Sequence, residues 1–261
     1  APASFVACLW LSLKYAGTVE TAGIGSHGAV IGSGGKLDNY SGKSASLEVS
    51  GDSSVALYNK GTVNLLNGGT YTASGAKSTI IYNDGGTTNI KGSNTYELGS
   101  NGVGFYVNGG KLTLDSNGGV SNINIGSNSV LSSVNTTNGM VFQNGQFNVS
   151  LGAGATGFIY KGTGMGTLTA SDVTTYLVSY YTGLSNLYFT MDPDSRLFVV
   201  ENYGTINLTD VQALSTSGAV VNIVGANTGK DAYLWKGGLI VDSSYGTINL
   251  DNPSNALNSV D

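Results

Sequence analysis

Charge is scarce in this chain: Asp, Glu, Lys and Arg make up 10% of 261 residues, against the quarter usual in soluble domains. That share excludes a helical protein with solvated charged faces, and equally a charged disordered tail. Arg196 is the single arginine, the net charge is −5, and no basic stripe exists, which excludes nucleic acid as a partner. The single cysteine, Cys8, can close no internal disulfide and has no company for a zinc site, so it reads as a small buried apolar residue. His27, the single histidine, sits in Gly25-Ser26-His27-Gly28 and reads as a corner residue rather than a base. No run reaches the roughly 18–20 apolar residues of a membrane span. The longest, Phe5 to Leu13, alternates like a half-buried strand and lacks the basic start of a signal peptide.

Glycine is abundant instead: 40 residues, about 15% of the chain and roughly twice the usual share, with three prolines and no collagen period. The glycines belong to a recurring phrase. It runs Leu57-Tyr58-Asn59-Lys60-Gly61-Thr62-Val63-Asn64-Leu65, then Ile81-Tyr82-Asn83-Asp84-Gly85-Gly86-Thr87-Thr88-Asn89-Ile90, then Phe105-Tyr106-Val107-Asn108-Gly109-Gly110-Lys111-Leu112-Thr113-Leu114. The tyrosines are spaced by 82 − 58 = 24 and 106 − 82 = 24 residues. Weaker copies begin at Val30, Val141, Ile159, Val199 and Leu239, and the step from Phe142 to Tyr160 shrinks to 160 − 142 = 18. A fixed period in this range marks a repeat architecture.

Within each unit apolar residues alternate, as in Val63/Leu65, Leu112/Leu114 and Phe147/Val149, so one strand face is buried. The polar partners Asn64, Thr113 and Asn148 are expected to point outward or into a ladder at a corner. Dense glycine and the absence of a sustained 3.6-residue period exclude helical repeats. The expected fold is all-β: a right-handed parallel β-helix with roughly 20–25 residues per coil. Its expected parts are an N-terminal strand or cap region (1–27), coils over 28–170, an insertion at 171–195, and further coils over 196–261. Val173, Tyr176, Leu177, Tyr180 and Tyr181 are spaced for a short helix near 172–182, with Ser171 as N-cap and Gly183 as C-cap.

Material for chemistry is thin. Glu20, Asp38, Glu48, Asp52, Asp84, Glu97, Asp115 and Asp172 occur singly, at mismatched positions of the repeat, so no catalytic residue is assigned and no cofactor is expected. Asp192 and Asp194 form the one tight acidic pair; the segment reads as a proline turn paired with Arg196, although two carboxylates so spaced also suit a hard cation. Tyr176, Tyr180, Tyr181, Tyr188 and Phe189 are the densest aromatic group. Exposed, they would form a binding patch; packed inward, they would fasten the insertion to the rod.

The recurring Tyr-Asn-x-Gly-Thr-Val-Asn-Leu and Tyr-Gly-Thr-Ile-Asn-Leu resemble the passenger domains of type V autotransporters, most closely the large fusobacterial adhesins. The resemblance covers about residues 28–170 and 196–250. It implies a cell-surface segment of a Gram-negative bacterium that binds a host or bacterial surface protein or glycan, with a translocator barrel elsewhere in the parent chain. The serine motif of autotransporter proteases is missing, so no enzymatic activity is expected on that account. A polysaccharide-degrading enzyme of tailspike type and a purely structural stalk are the alternatives on the same scaffold.

Overall fold

A computed structural model describes residues 12–161, 167–192 and 195–201, together with the short strands Phe5–Ala7, Thr205–Asn207, Asn222–Ile223, Ile240–Val241 and Thr247–Asn249. Cys8 and Asp194 lie outside the described residues. Among the described residues there are three long sheets of nine, seven and eight strands, and a fourth of three. As far as Tyr181–Thr182, the last strand of the seven-stranded sheet, each coil contributes one strand to each long sheet. In one coil these are Val55–Asn59, Thr62–Leu65 and Gly69–Ala73, and in the next Thr79–Asn83, Thr87–Lys91 and Asn94–Leu98. Strands pair in parallel with their counterparts one coil away. This is the expected parallel β-solenoid.

The 24-residue step is the register itself. Tyr82 is paired with Tyr58 on one side and Tyr106 on the other, and Ile81 with Leu57 and Phe105. Leu57, Ile81 and Phe105 point inward and are fully buried, while the three tyrosines alternate outward. The inward residues of all three sheets merge into one apolar core from Val19 to Leu197. On the third sheet one inward column runs Val19, Leu47, Tyr71, Tyr96, Ile123, Val149 and Phe189. Tyr71 and Tyr96 stack there with centroids 5.3 Å apart. Their hydroxyls are buried with no partner among the described residues, and burial pushes both far above the ordinary tyrosine range.

Two kinds of corner hold the coils. Ser53, Lys77, Asn101 and Asn128 stack at one of them, all with φ between 55° and 58°. That conformation costs a non-glycine residue about 1–2 kcal/mol, and each such amide here donates to a carbonyl of the next coil. At another corner the Asn of the repeat phrase turns inward. Asn83 is fully buried and fills every hydrogen-bonding position it has. Its Nδ2 donates to the carbonyls of Gly86 (2.7 Å) and Gly109 (2.9 Å), while its Oδ1 accepts from Thr88 Oγ1 (2.8 Å) and Asn59 Nδ2 (3.2 Å). Glycine is required beside it: a Cβ on Gly86 would lie 2.5 Å from Asn59 Nδ2 and 2.7 Å from the Gly61 carbonyl. Asn64, Thr113 and Asn148 are half-exposed on the outer surface, so the internal ladder is made by Asn59 and Asn83 instead.

Of the stretch expected as an insertion at 171–195, the helix Ala170–Tyr180 stands apart from the coils, between Thr167–Thr169, a strand of the three-stranded sheet, and Tyr181–Thr182, a strand of the second sheet. Ser171 therefore lies inside the helix, and Gly183 (φ 79°) opens a 3-10 turn, Leu184–Asn186, rather than ending the helix. From Tyr181 the chain is ordinary coil, because Leu187, Phe189 and Met191 alternate inward as Phe147, Val149 and Leu151 do, in full register. The phrase around Phe142 is also out of phase. Phe142 pairs with Leu114 on the second sheet, and Ser133 is the counterpart of Tyr106, so the 18-residue step joins unlike strands. In the N-terminal region expected as strand or cap, Ser12–Tyr15 and Gly17–Thr21 are strands that pair with the next coil.

Replacing Asn83 by Ala leaves two carbonyls, the Thr88 hydroxyl and the Asn59 amide short of a buried partner. Asn83→Ala is expected to cost about 3 kcal/mol in urea unfolding, whereas Thr113→Ala, half-exposed on the second sheet, costs under about 1 kcal/mol.

Candidate functional site

Because like positions stack, each outer face of the rod carries columns of its own chemistry. The second sheet presents Asp38, Asn64, Asn89 and Thr113 in one line. The third presents Glu20, Glu48, Thr72, Glu97 and Asn124. The first carries Val30, Tyr58, Tyr82, Tyr106 and Ser133 in one column, flanked by His27, Val55, Thr79 and Val103. All of these first-face side chains are half-buried.

The tyrosine column is held from within and at both ends. Tyr58 and Tyr82 meet edge to face with centroids 5.1 Å apart, and Tyr82 and Tyr106 repeat the contact at 4.8 Å. Such pairs contribute about 0.5–1.5 kcal/mol beyond their burial. Tyr58 Oη donates to Asp84 Oδ2 at 2.6 Å, and Lys60 Nζ lies 3.2 Å from the same oxygen and 5.8 Å from the Tyr58 ring centroid. Asn108 Nδ2 donates to Asp84 Oδ1 at 3.2 Å, and Asn135 Nδ2 to Tyr106 Oη at 3.3 Å. Only the middle hydroxyl, that of Tyr82, has no protein partner among the described residues.

The cluster shapes its own titration. The Tyr58 hydroxyl holds the Asp84 carboxyl below its ordinary value, helped by Lys60, and Tyr58 and Asp84 in turn raise the Lys60 ammonium. Partial burial, reinforced by the Asp84 charge, raises the hydroxyls of Tyr58 and Tyr82. Since the Asp84 pKa is lowered on folding, its contribution to stability is present above the ordinary carboxylate pKa and lost only as pH falls through the lowered one. The column keeps its charge pattern across neutral and mildly acidic pH.

The aromatic group expected to form a binding patch is divided by the fold. Tyr181 (2% exposed) and Phe189 (fully buried) are core residues, placed inward by the alternation of their strands, and cannot meet a ligand. Tyr176 and Tyr180 are half-exposed neighbours with centroids 4.7 Å apart, and Tyr176 Oη donates to the Ile159 carbonyl, fastening the helix to the rod. Tyr188 lies on the outer side of the third sheet, paired with Asn148. Asp192 is exposed and closes a turn in which its carbonyl accepts from the Ser195 amide (3.1 Å) and Ser195 Oγ (2.6 Å). Arg196 keeps a buried Nε with no partner among the described residues. His27 opens a strand, its Nδ1 donating to the Ser26 carbonyl at 2.9 Å.

Glu20 and Glu48 are not at mismatched positions. They pair in register and line an open groove of about 710 Å3 with Thr21, Ser50, Thr72 and Ser74. Their phase was hidden because 48 − 20 = 28 departs from the 24-residue step. No group of three or more metal-ligating side chains converges among the described residues. None of their helices is long and apolar enough to cross a membrane.

Tyr58→Phe removes the donor that most favours the charged form of Asp84. The Asp84 carboxyl pKa, followed by NMR through a pH titration, is expected to rise toward its ordinary value of 3.8, while Tyr40→Phe leaves it in place. No protein-family model, curated protein or solved structure matches the chain.

Proposed function

We propose that this chain is a segment of a bacterial surface adhesin, exposed outside the cell, whose rod carries its ligand along one lateral face. The observation behind the reading is the first-face column of Tyr58, Tyr82 and Tyr106. Core packing does not require three outward aromatic rings in register, and a plain stalk would be served by Thr or Ser at these positions. Aromatic residues in line, with polar groups beside them, are the usual anchors of recognition. A parallel solenoid suits this role because its surfaces are long, straight and rigid. The reading assigns the chain no catalytic role, and it expects a membrane-embedded translocator elsewhere in the parent protein.

Purified chain should bind to host epithelial cells or to partner bacteria in flow cytometry. The double variant Tyr58→Thr/Tyr106→Thr should lose most of that binding while keeping the parent's far-ultraviolet circular dichroism. Undiminished binding by the folded double variant would contradict the reading, and so would an absence of binding by the parent chain.

A further inference from the structure

We propose that the first face is a binding site for a neutral glycan, laid along the rod over Tyr58, Tyr82 and Tyr106; this rests on the adhesin reading above and names its ligand class. A sugar ring has an apolar C–H face and a rim of hydroxyls. The site offers a counterpart to each. The three rings supply the apolar surface, and around them stand the Tyr82 hydroxyl, the Asp84 carboxylate and the exposed amides of Asn108 and Asn135.

Charge decides which glycan. The Asp84 carboxylate is already compensated by Lys60 at 3.2 Å, and Lys60 is spent on that contact and on the Tyr58 ring. Among the described residues Lys60 is the cation that contacts these rings, and with it spent the face complements an uncharged ligand better than a sulfate, phosphate or uronate. Shape favours a narrow ligand over a broad protein contact. A narrow strip whose rings recur at roughly 4.8 Å, the spacing of paired strands, fits a linear polymer instead.

The test is affinity electrophoresis in native gels cast with a soluble β-glucan, a galactomannan or a xylan, and with polygalacturonate as the anionic comparison. The parent chain should be retarded by at least one of the three neutral polymers. Tyr82→Thr, which keeps a β-branched residue on the strand, should weaken that retardation about tenfold. Tyr82→Phe keeps the ring and its packing and loses only the free hydroxyl, so about fivefold weaker retardation is expected. Tyr40→Thr, an exposed aromatic at a corner (53% exposed), should behave like the parent. Retardation by polygalacturonate alone, by none of the neutral polymers, or to an equal degree in parent and Tyr82→Phe would overturn the proposal. Cell binding that depends on Tyr58 and Tyr106 without retardation by a neutral polymer would overturn the glycan alone, leaving the adhesin reading with a protein ligand.

Discussion

Parallel pairing of each coil on an equivalent coil is the constraint from which the rest of this structure follows. A strand in such a stack has its counterpart directly above and below, so whatever stands at one position must tolerate, or gain from, its own kind at strand spacing. Apolar residues satisfy this by merging into a continuous core, as Leu57, Ile81 and Phe105 do. Amides satisfy it by hydrogen bonding to one another, inside through Asn59 and Asn83 and outside through Asn64 and Asn89. Charges of one sign satisfy it poorly, which gives a physical reason for the 10% charged content, although Glu20 and Glu48 do stand in register beside an open groove.

The same constraint divides the surface into chemically distinct faces. A single choice at one repeat position is multiplied along the rod into a column, and alternation keeps it apart from the columns beside it. Tyrosine at the outward position thereby becomes an aromatic strip. The strip is bounded by polar groups from the neighbouring corner, because the strands that carry Tyr58, Tyr82 and Tyr106 lead into Lys60, Asp84 and Asn108. Asp84 ties three coils together through Tyr58, Lys60 and Asn108. Scaffold and proposed recognition surface are here two sides of one strand.

Most of the fold is legible in the sequence. The 24-residue step between Tyr58, Tyr82 and Tyr106 gives the register, and the alternation in Val63/Leu65 and Leu112/Leu114 gives the buried face. What the sequence hides is phase. Wherever a corner gains residues the step changes, and similar apolar-Asn-Gly phrases then occur on different sheets, as Phe142 and Tyr106 show. The same loss of phase conceals the pairing of Glu20 with Glu48. The aromatic density of 176–189 looks like a surface patch in composition, yet Leu187, Phe189 and Met191 carry the alternation of a core strand. The tyrosine column was visible as a repeat; only its outward direction marks it as a candidate site, and that depends on which neighbours point in.

Three tyrosine rings forming one continuous outward column carry the proposed site. Aromatic nuclear Overhauser effects on tyrosine-labelled protein measure this directly, with resonances assigned by single Tyr→Phe replacements. Ring centroids 5.1 and 4.8 Å apart predict ring-to-ring effects between Tyr58 and Tyr82 and between Tyr82 and Tyr106, with none between Tyr58 and Tyr106. Absence of both neighbour effects in the folded protein would contradict the register, and with it the site built on that register.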